Sequence, residues 1–402
     1  MKFGIIRERK NPPDRRVVFS PEALQQLKAR FPQAEILVER SDIRVFPDSE
    51  YMAAGFELTN DLSGCDVLFG VKEVPVDALI ANKKYFFFSH TIKKQAHNQK
   101  LLRAILDNKI DLYDHETIVD GNFKRLIGFG RYAGIVGAYN GFRAFGVKYE
   151  LFDLPKAETL SGQDALISKL RRIALPNIKI VLTGKGKVAN GAREMLDAMR
   201  IKRVGVEDFL SKKFSDAVYC QIDVLDYNRR IDGMAGEKQD FYDNPDLYES
   251  DFGRFTEVAD MFIAGHFCAT DAPVILTREM LASAKNNIRV VADISCDIGG
   301  PIACTIRPST IADPFYGYLP SEDREADIFH PAAIVVMAVD NLPCELPRDA
   351  SEGFGEMFLE HVIPAFFNGD KDGILERACV ARDGALTPRF SYLQAFADGV
   401  RG

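Results

Sequence analysis

The sequence predicts an α/β protein with two domains, each built on a parallel β-sheet. The chain has 402 residues, and a single hydrophobic core rarely serves more than about 250–300 residues. Apolar runs of strand length alternate with helical patterns along most of the chain, and strands joined by helices pair in parallel. One of these units, at residues 178–199, carries a glycine-rich turn between its strand and its helix.

The first α/β unit is predicted within residues 1–140. Its strands are expected at residues 2–7, 36–38, 66–70, 84–88 and 109–113, and its helices at residues 21–27 and 95–106. Ser20 is the expected N-cap of the first helix, and Pro21 fits the first helical position because no backbone N–H is needed there. Three of the strands end in ionisable side chains, and open α/β sheets form their binding sites at such ends.

The second unit is predicted over residues 141–344. A long helix of small apolar residues at 132–145 spans its start and is expected to be buried and to bridge the two domains. Its strands are expected at residues 178–182, 202–206, 261–264, 290–294 and 334–339. Residues 227–253 are polar, acidic and aromatic, which indicates an insertion that forms a flap or a dimer contact. The polar tail that follows a helix at 350–366 is expected to return to the first domain.

The glycine-rich turn predicts a nucleotide site. Residues 178–189 are IKIVLTGKGKVA, a strand followed by a G-x-G-x-x-A turn and the start of a helix. There the phosphates of a dinucleotide can lie on the helix N-terminus, and glycine lets the backbone approach them closely. The residues expected to contact the cofactor are Gly184, Gly186, Lys187, Val188 and Ala189. The alternative is an ordinary turn that needs glycine only for its backbone angles.

Side chains at the ends of the early strands have the chemistry of an acid–base pair. Lys72 follows the strand at 66–70, and an amine that loses hydration there has a lowered pKa and can exchange protons. The alternative for Lys72 is a surface ion pair with Glu73. His90 follows four aromatic residues and is either a proton carrier near neutral pH or a histidine satisfied at the edge of the core. Glu116 is expected to hold Lys72 as an ion pair or to cap a turn.

Three further charged residues are candidates for holding ligands. Arg16 and Arg125 suit bidentate hydrogen bonds to substrate carboxylates, although most arginines in any chain are solvated. Asp340 ends the apolar run at 334–339. Its carboxylate is expected to face a nicotinamide ribose or a substrate amine, or to cap the following turn.

Composition argues against several classes of function. The net charge of −7 gives no support for nucleic acid or an anionic membrane as a partner. No apolar run approaches the roughly 20 residues of a membrane span, and the N-terminal residues lack the apolar segment of a signal peptide. No histidine or cysteine spacing indicates a metal site, and no nucleophile elbow is present. Seven scattered cysteines favour reduced thiols, and a cytoplasmic location is expected.

Seven segments together carry a family resemblance, and they span nearly the whole chain: RRVVFSPE, LFGVKEVP, FFFSHTIKKQ, LYDHETIVDGNFKRLIGFGRYAG, GKGKVANGA, VADISCDIGGPIACTIRPSTIADPF and AVDNLPCELPRDASEGFGE. The chain resembles the lysine-forming saccharopine dehydrogenases, or lysine–ketoglutarate reductases, within the wider alanine dehydrogenase and transhydrogenase group. The resemblance implies two Rossmann-like domains with the active site in a cleft between them. One domain would be residues 1–140 plus 345–402, for substrate and catalysis, and the other residues 141–344, for NAD(P).

The same resemblance implies roles for individual residues. Lys72 and His90 would be the acid–base pair, and Glu116 would tune Lys72. Arginines matching Arg16 and Arg125 lie in the substrate cleft of the family, and the aspartate matching Asp340 lies near the nicotinamide. These roles agree with the chemistry that each residue type suggests by itself.

The cofactor is expected to be NAD or NADP. Glu207, at the end of the strand predicted at 202–206, lies about 20 positions after the glycine-rich turn, where an acidic residue commonly holds the ribose hydroxyls. Such a carboxylate repels the 2′-phosphate of NADP. Four basic side chains near the turn would instead favour that phosphate: Lys185, Lys187, Lys202 and Arg203.

The leading functional hypothesis is a pyridine-nucleotide oxidoreductase that acts on a C–N bond of an amino acid. Saccharopine, NAD(P) and water would give lysine, 2-oxoglutarate and NAD(P)H, or the reverse. The alternatives are an alanine dehydrogenase-like enzyme that uses ammonia as the amine, and a nucleotide-binding sensor without turnover. The expected partner is a small-molecule amino acid, and the protein is expected to be a monomer or a homodimer.

Overall fold

The computed structural model describes residues 1–269 and 271–399. The chain divides into two compact units, one of Met1–Phe129 with Pro347–Gly402 and one of Gly130–Leu346. Each unit contains one eight-stranded mixed sheet, which confirms the predicted α/β class. The last three residues of the predicted first domain, 400–402, lie outside the described residues.

The N-terminal part of the first unit alternates strands with helices and turns, largely as predicted. Its first helix begins as expected, because Ser20 Oγ accepts a hydrogen bond from the backbone N–H of Ala23 at 3.1 Å. The elements are β1 (Lys2–Ile5), α1 (Pro21–Arg30), β2 (Glu35–Glu39), α2 (Asp48–Ala53), β3 (Glu57–Thr59), β4 (Val67–Phe69), β5 (Lys84–Phe87), α3 (Gln99–Asp107) and β6 (Asp111–Asp114).

The second unit begins with the long helix of small residues. The elements are α4 (Gly130–Tyr149), α5 (Gln163–Leu170), β7 (Lys179–Thr183), α6 (Lys187–Ala198), β8 (Lys202–Arg203), α7 (Val206–Ser211), β9 (Val218–Ile222), α8 (Val224–Tyr227), β10 (Asn228–Arg230), α9 (Lys238–Asp243), β11 (Tyr248–Ser250), α10 (Gly253–Thr256), β12 (Met261–Ala264), α11 (Arg278–Ala282), β13 (Val290–Asp293), β14 (Phe315–Leu319), β15 (Arg324–Ala326) and β16 (Ile334–Met337). The boundary predicted between residues 140 and 141 therefore falls inside α4.

The C-terminal segment returns to the first sheet. Its elements are α12 (Pro347–Met357), a π-helical segment (Phe358–Val362), α13 (Ile363–Phe367), α14 (Ile374–Ala378), β17 (Cys379–Arg382), β18 (Ala385–Leu386) and α15 (Gln394–Ala397). Strand β17 pairs with β6 in the antiparallel direction. Phenylalanines from the π-helical segment and α13 pack edge-on against those of the sheet, with the Phe69 and Phe358 ring centroids 5.8 Å apart.

The first sheet has the strand order β18-β17-β6-β5-β4-β1-β2-β3. All neighbours from β6 to β3 pair in parallel, whereas β17 and β18 form an antiparallel edge. The carboxyl ends of β1, β4, β5 and β6 therefore lie side by side at one edge of the sheet. Ligands of open α/β sheets bind at this edge.

The second sheet has the order β15-β14-β16-β13-β12-β7-β9-β8, with an antiparallel pair, β14 and β15, at one end. Strand β9 lies between β7 and β8, so the strand that follows α6 in sequence does not pair with β7. The reason is burial, since all five residues of β9 are buried while the two charged residues of β8 are exposed. A fully buried strand belongs in the interior of a sheet, and charged residues suit its edge.

Residues 228–250, here called the ribbon insertion, fold as an antiparallel pair of β10 and β11 that encloses α9. Phe241 and Tyr248 anchor the ribbon insertion in the hydrophobic core of the second unit. The predicted insertion is thus an ordered part of this unit.

Within residues 1–269 and 271–399, no helix has the length and apolar character needed to cross a membrane.

Candidate functional site

The carboxyl edge of the first sheet collects ionisable side chains from four neighbouring strands. Glu8 follows β1, Lys72 follows β4, His90 follows β5 and Glu116 follows β6. The sequence predicted three of these four as site residues. Glu8 was not a candidate from the sequence, although it also follows a strand at the same edge.

A hydrogen bond holds the backbone of Lys72 in place, and the surroundings of its side chain lower the pKa of its amine. The backbone N–H groups of Val71 and Lys72 donate to the two carboxyl oxygens of Glu8 at 2.7 and 2.8 Å. Burial lowers the pKa of the Lys72 amine, and the nearby positive charges of Arg16 and Lys10 lower it further. An amine with a lowered pKa can take up and release protons closer to neutral pH.

His90 is paired with the glutamate that follows Lys72. Its Nδ1 lies 2.5 Å from Oε1 of Glu73, and both side chains are only 19% exposed. Lys10 Nζ lies 3.5 Å from the other carboxyl oxygen. Burial works against ionisation of Glu73, but the hydrogen bond from His90 prevails and lowers the pKa of Glu73 to about 2. An ionised Glu73 accepts a hydrogen bond from Nδ1 of His90, which leaves Nε2 available for another partner.

Glu116 does not form an ion pair with Lys72, the first of its two predicted arrangements, and its part in catalysis stays a prediction. Its Oε1 lies 3.0 Å from Lys93 Nζ and 3.8 Å from Arg125 Nη1. Lys93 lies in the 3₁₀ turn that follows β5, which brings a different lysine to the carboxylate. The alternative expectation, a surface pair of Lys72 with Glu73, is also not formed, since Glu73 pairs with His90 and Lys10.

The two candidate anchoring arginines have different surroundings. Arg16 is 2% exposed and forms a bidentate pair with Asp14, with an Nη2–Oδ2 distance of 2.6 Å, while its guanidinium lies 4.2 Å from the Phe129 ring centroid. Arg125 is 43% exposed and lies over the Phe88 ring at 5.4 Å. Arg125 is the more accessible of the two for a substrate carboxylate.

Buried groups beneath this edge tie its loops together. Asp114 is fully buried and accepts hydrogen bonds from the backbone N–H groups of Ser89 at 2.9 Å and Glu116 at 2.7 Å. His115 Nε2 lies 2.8 Å from the carbonyl oxygen of Gly70. The loops after β4, β5 and β6 are therefore linked to one another, which fixes the positions of the side chains they carry.

Glu8→Gln is expected to flatten the pH dependence of stability. Burial and the charge of Asp14 raise the pKa of Glu8 from 4.5 to about 8. The folded protein keeps this proton where the unfolded chain has lost it, so the contribution of Glu8 to stability is fully present below pH 4.5 and is lost as the pH rises to about 8. Over this range the free energy of unfolding of the wild type should fall by on the order of 3–5 kcal/mol more than that of the variant. Urea unfolding of both proteins at pH 5, 6.5 and 8 measures the difference, and parallel profiles would contradict it.

In the second unit, the glycine-rich turn joins β7 to α6 as predicted. Gly184 has φ +93°, and a Cβ there would lie 2.8 Å from the carbonyl oxygen of Gly265, so only glycine fits. Gly186 is the N-cap of α6 with φ −82° and ψ −170°, and a Cβ there would meet open space. The opening beside Gly186 is where a phosphate can approach the helix N-terminus.

A cavity of about 580 Å³ lies over this turn. The turn contributes Gly184 to Val188, the loop after β12 contributes Gly265 to Cys268, and α9 of the ribbon insertion contributes Lys238 and Tyr242. Asp223, Tyr227, Ser295 and Asp297 add to its polar lining. Ala189 is fully buried behind the turn and packs against Gly265.

The acidic residue that follows the strand next to β7 at this cavity is Asp223, whereas the predicted contact of Glu207 with the ribose stays a prediction. Because β9 and not β8 pairs with β7, Asp223 directly follows Ile222, the residue in register with Thr183 at the end of β7. Glu207 lies on α7 beyond the edge strand and does not line the cavity. The sequence carried a signal for this arrangement, since residues 218–222, VYCQI, are more apolar than residues 202–206.

Asp340 lies three residues after the end of β16 and is exposed. It is not among the residues that line the cavity over the glycine-rich turn, and its predicted position near the nicotinamide stays a prediction.

In residues 1–269 and 271–399, no three His, Cys, Asp or Glu side chains are grouped as metal ligands. All seven cysteines are free thiols.

Comparison with known proteins identifies the family. The model of the alanine dehydrogenase/PNT N-terminal domain matches residues 4–136, and that of the C-terminal domain matches residues 248–388. The chain belongs to the alanine dehydrogenase/PNT family. The two matches fall one in each half of the chain, and the N-terminal match includes the predicted catalytic residues Lys72, His90 and Glu116.

Relatives within the alanine dehydrogenase/PNT family come from plants, animals and fungi. An alpha-aminoadipic semialdehyde synthase of Arabidopsis thaliana is 29% identical over 97% of this chain, and a mitochondrial one of Mus musculus is 27% identical over 98%. The chain spans 41% and 47% of the lengths of these two proteins. A saccharopine dehydrogenase (NAD(+), L-lysine-forming) of Yarrowia lipolytica is 26% identical over 89% of this chain and 90% of its own length.

Solved structures agree on the fold. An L-alanine dehydrogenase matches all of both chains with a TM-score of 0.65 and 16% identity. A transhydrogenase from Sinorhizobium meliloti matches 96% of this chain and 100% of its own with a TM-score of 0.61, also at 16% identity. At this identity the match shows the shared architecture, which confirms the predicted Rossmann-like fold class.

Proposed function

We propose that this chain is an NAD(P)-dependent oxidoreductase that acts on a C–N bond of an amino acid. Its reaction would join lysine and 2-oxoglutarate reductively to saccharopine, or run in reverse. The observation that carries this proposal is the set of Lys72, Glu73 and His90 at the carboxyl edge of the first sheet. The saccharopine dehydrogenase of Yarrowia lipolytica, which aligns over nine-tenths of its length, supports the choice of substrate.

The second unit fits a dinucleotide cofactor. The open space beside Gly186, the N-terminus of the twelve-residue α6 and the 580 Å³ cavity suit a pyrophosphate and its ribose. Gly184, Gly186, Lys187, Val188 and Ala189 would hold or support the phosphates, as the sequence predicts. When bound, the cofactor supplies or accepts the hydride.

The residues of the first unit would move the protons of the reaction. The ammonium group of the substrate lysine must lose a proton before its nitrogen attacks the keto carbon of 2-oxoglutarate. The hydroxyl group formed on that carbon must gain a proton before it leaves as water. The Lys72 amine and His90 Nε2 are suited to these transfers, each typically worth 10² to 10⁴ in rate. Glu73 would keep His90 in the required tautomer. Glu116 would tune the site through Lys93 and Arg125.

Arg125→Met is expected to raise the KM for the dicarboxylate substrate by about 10- to 100-fold and to change kcat little. An arginine that binds a carboxylate equally in the ground and transition states contributes to KM alone. Initial rates at varied 2-oxoglutarate test this. Arg125→Lys keeps the charge but loses the bidentate fork, so it should fall between the wild type and the methionine variant. An unchanged KM in Arg125→Met would leave Arg16 as the remaining candidate anchor.

The proposed function is tested by initial rates with a panel of 2-oxo acids and amines. NADH or NADPH oxidation should be fastest with 2-oxoglutarate plus lysine, and slow with pyruvate plus ammonia. Turnover only with pyruvate and ammonia would make the protein an alanine dehydrogenase-like enzyme. Tight nucleotide binding without turnover on any pair would favour the sensor hypothesis.

Three further expectations, on domain roles, cellular location and oligomeric state, complete the proposal. The first unit would serve substrate and catalysis and the second the cofactor, with the domains at 1–140 plus 345–402 and at 141–344. The seven free thiols support a reducing compartment such as the cytoplasm, which cell fractionation tests. Light scattering in solution decides between a monomer and a homodimer.

A further inference from the structure

We propose that Asp223 selects NAD(H) over NADP(H) in the cavity over the glycine-rich turn, and that Lys238 of the ribbon insertion belongs to the ribose site. This inference rests on the proposed function only in taking the cofactor to be a pyridine dinucleotide. Neither residue was a candidate from the sequence. Both emerge from the strand order of the second sheet and from the fold of the ribbon insertion.

Asp223 lies beside the glycine-rich turn because of the pairing of β7 with β9. The Gly184 N–H donates to the carbonyl oxygen of Ile222 at 2.8 Å, and Gln221 Nε2 donates to the carbonyl oxygen of Gly184 at 3.0 Å. The residue after Ile222 is therefore held next to the residue where the phosphates would approach. An acidic side chain on the strand next to the turn is placed to accept hydrogen bonds from the ribose hydroxyls.

The carboxylate of Asp223 is ordered and ionised. Its Oδ1 accepts the backbone N–H of Val224 at 2.9 Å, and its Oδ2 lies 3.0 Å from Lys238 Nζ and 3.5 Å from Lys185 Nζ. Burial opposes ionisation, but the hydrogen bonds from Lys238 and Val224 outweigh it and lower the pKa of Asp223. Two ammonium groups thus meet at one oxygen, one from the glycine-rich turn and one from α9.

This arrangement makes the preference depend on a single charge. With Asp223 in place, its carboxylate can accept from the two ribose hydroxyls and repels a 2′-phosphate, which carries about −1.5 to −2 charges. Without that charge, Lys185 and Lys238 remain as two cations at the same position. The lysines that now pair with Asp223 would then bind the 2′-phosphate.

Asp223→Asn tests this because asparagine keeps an acceptor for the Val224 N–H and is itself a good N-cap. The dissociation constants of NADH and NADPH are measured by fluorescence titration without amino-acid substrates. The wild type should bind NADH at least tenfold more tightly than NADPH. Asp223→Asn should reverse the preference, and adding Lys238→Met to it should remove most of the gain in NADPH affinity. Glu207→Gln removes an acidic residue that lies outside the cavity. This variant should keep the wild-type ratio of the NADPH and NADH dissociation constants.

Each outcome decides between the possibilities. An unchanged ratio in Asp223→Asn, a shifted ratio in Glu207→Gln, or a wild type that prefers NADPH would overturn the proposal. If neither nucleotide binds the wild type, both this inference and the proposed function fail. If the nucleotides bind with the expected pattern but lysine and 2-oxoglutarate are not turned over, only the proposed function fails.

Discussion

Lys72→Met and His90→Gln each lower kcat by about 10² to 10⁴-fold, the usual contribution of a positioned acid or base, while the KM for 2-oxoglutarate changes little. The reason is that proton transfer stabilises the transition state more than the bound substrate. Stopped-flow or initial-rate measurements of NADH oxidation report both constants. Under the proposed function the two side chains serve the same proton transfers, so removal of both should lower kcat by less than the product of the single effects.

The matched controls are Lys100→Met and His97→Gln, which alter exposed residues of the same unit. Both should keep wild-type kcat. A loss in the controls equal to that in Lys72→Met or His90→Gln would show a general effect of these substitutions. A variant of Lys72 that retained full kcat would remove the amine from the mechanism.

Gly186→Val weakens NADH binding by at least 100-fold without unfolding the protein. The backbone of Gly186 is in the extended region and a Cβ there meets open space, so valine is tolerated by the fold. Its methyl groups would occupy the space through which a phosphate reaches the backbone of α6. Fluorescence titration measures the affinity, and thermal unfolding checks the fold.

Gly205→Val is the control for Gly186→Val. Gly205 is also a helix N-cap, with φ −74° and ψ 165°, and a Cβ there meets open space as well. It lies at α7, outside the cavity lining. Gly205→Val should bind NADH as the wild type does. Equal affinity of the Gly186 variant and the wild type would place the cofactor elsewhere.

Local sequence patterns predicted much of this molecule. The Ser20 cap, the apolar strands and the turn at Gly184 and Gly186 each depend on residues that are close together in the sequence. The structure contains all of them. Lys72 and His90 were identified because apolar strands stop just before them. The resemblance to a known family implies that they act as a pair, which agrees with the chemistry that each residue type suggests by itself.

Features that depend on distant residues were missed. Asp223 and not Glu207 lines the cavity because β9 pairs with β7, and strand order is set by the competition of whole strands for the buried positions. The partner of Glu116 is Lys93 because the turn after β5 carries that lysine to the carboxylate. The role of Glu73 as the partner of His90 also depends on how two loops meet. The predicted cleft between the domains stays a prediction.

The most direct test of the account is the fate of the hydride. NADH deuterated at both C4 positions is incubated with the protein, lysine and 2-oxoglutarate, and the product is analysed by mass spectrometry and NMR. The expected product is saccharopine with one deuterium at the glutaryl Cα. A deuterated product formed only from pyruvate and ammonia, or no transfer of deuterium to any amino acid, would contradict it.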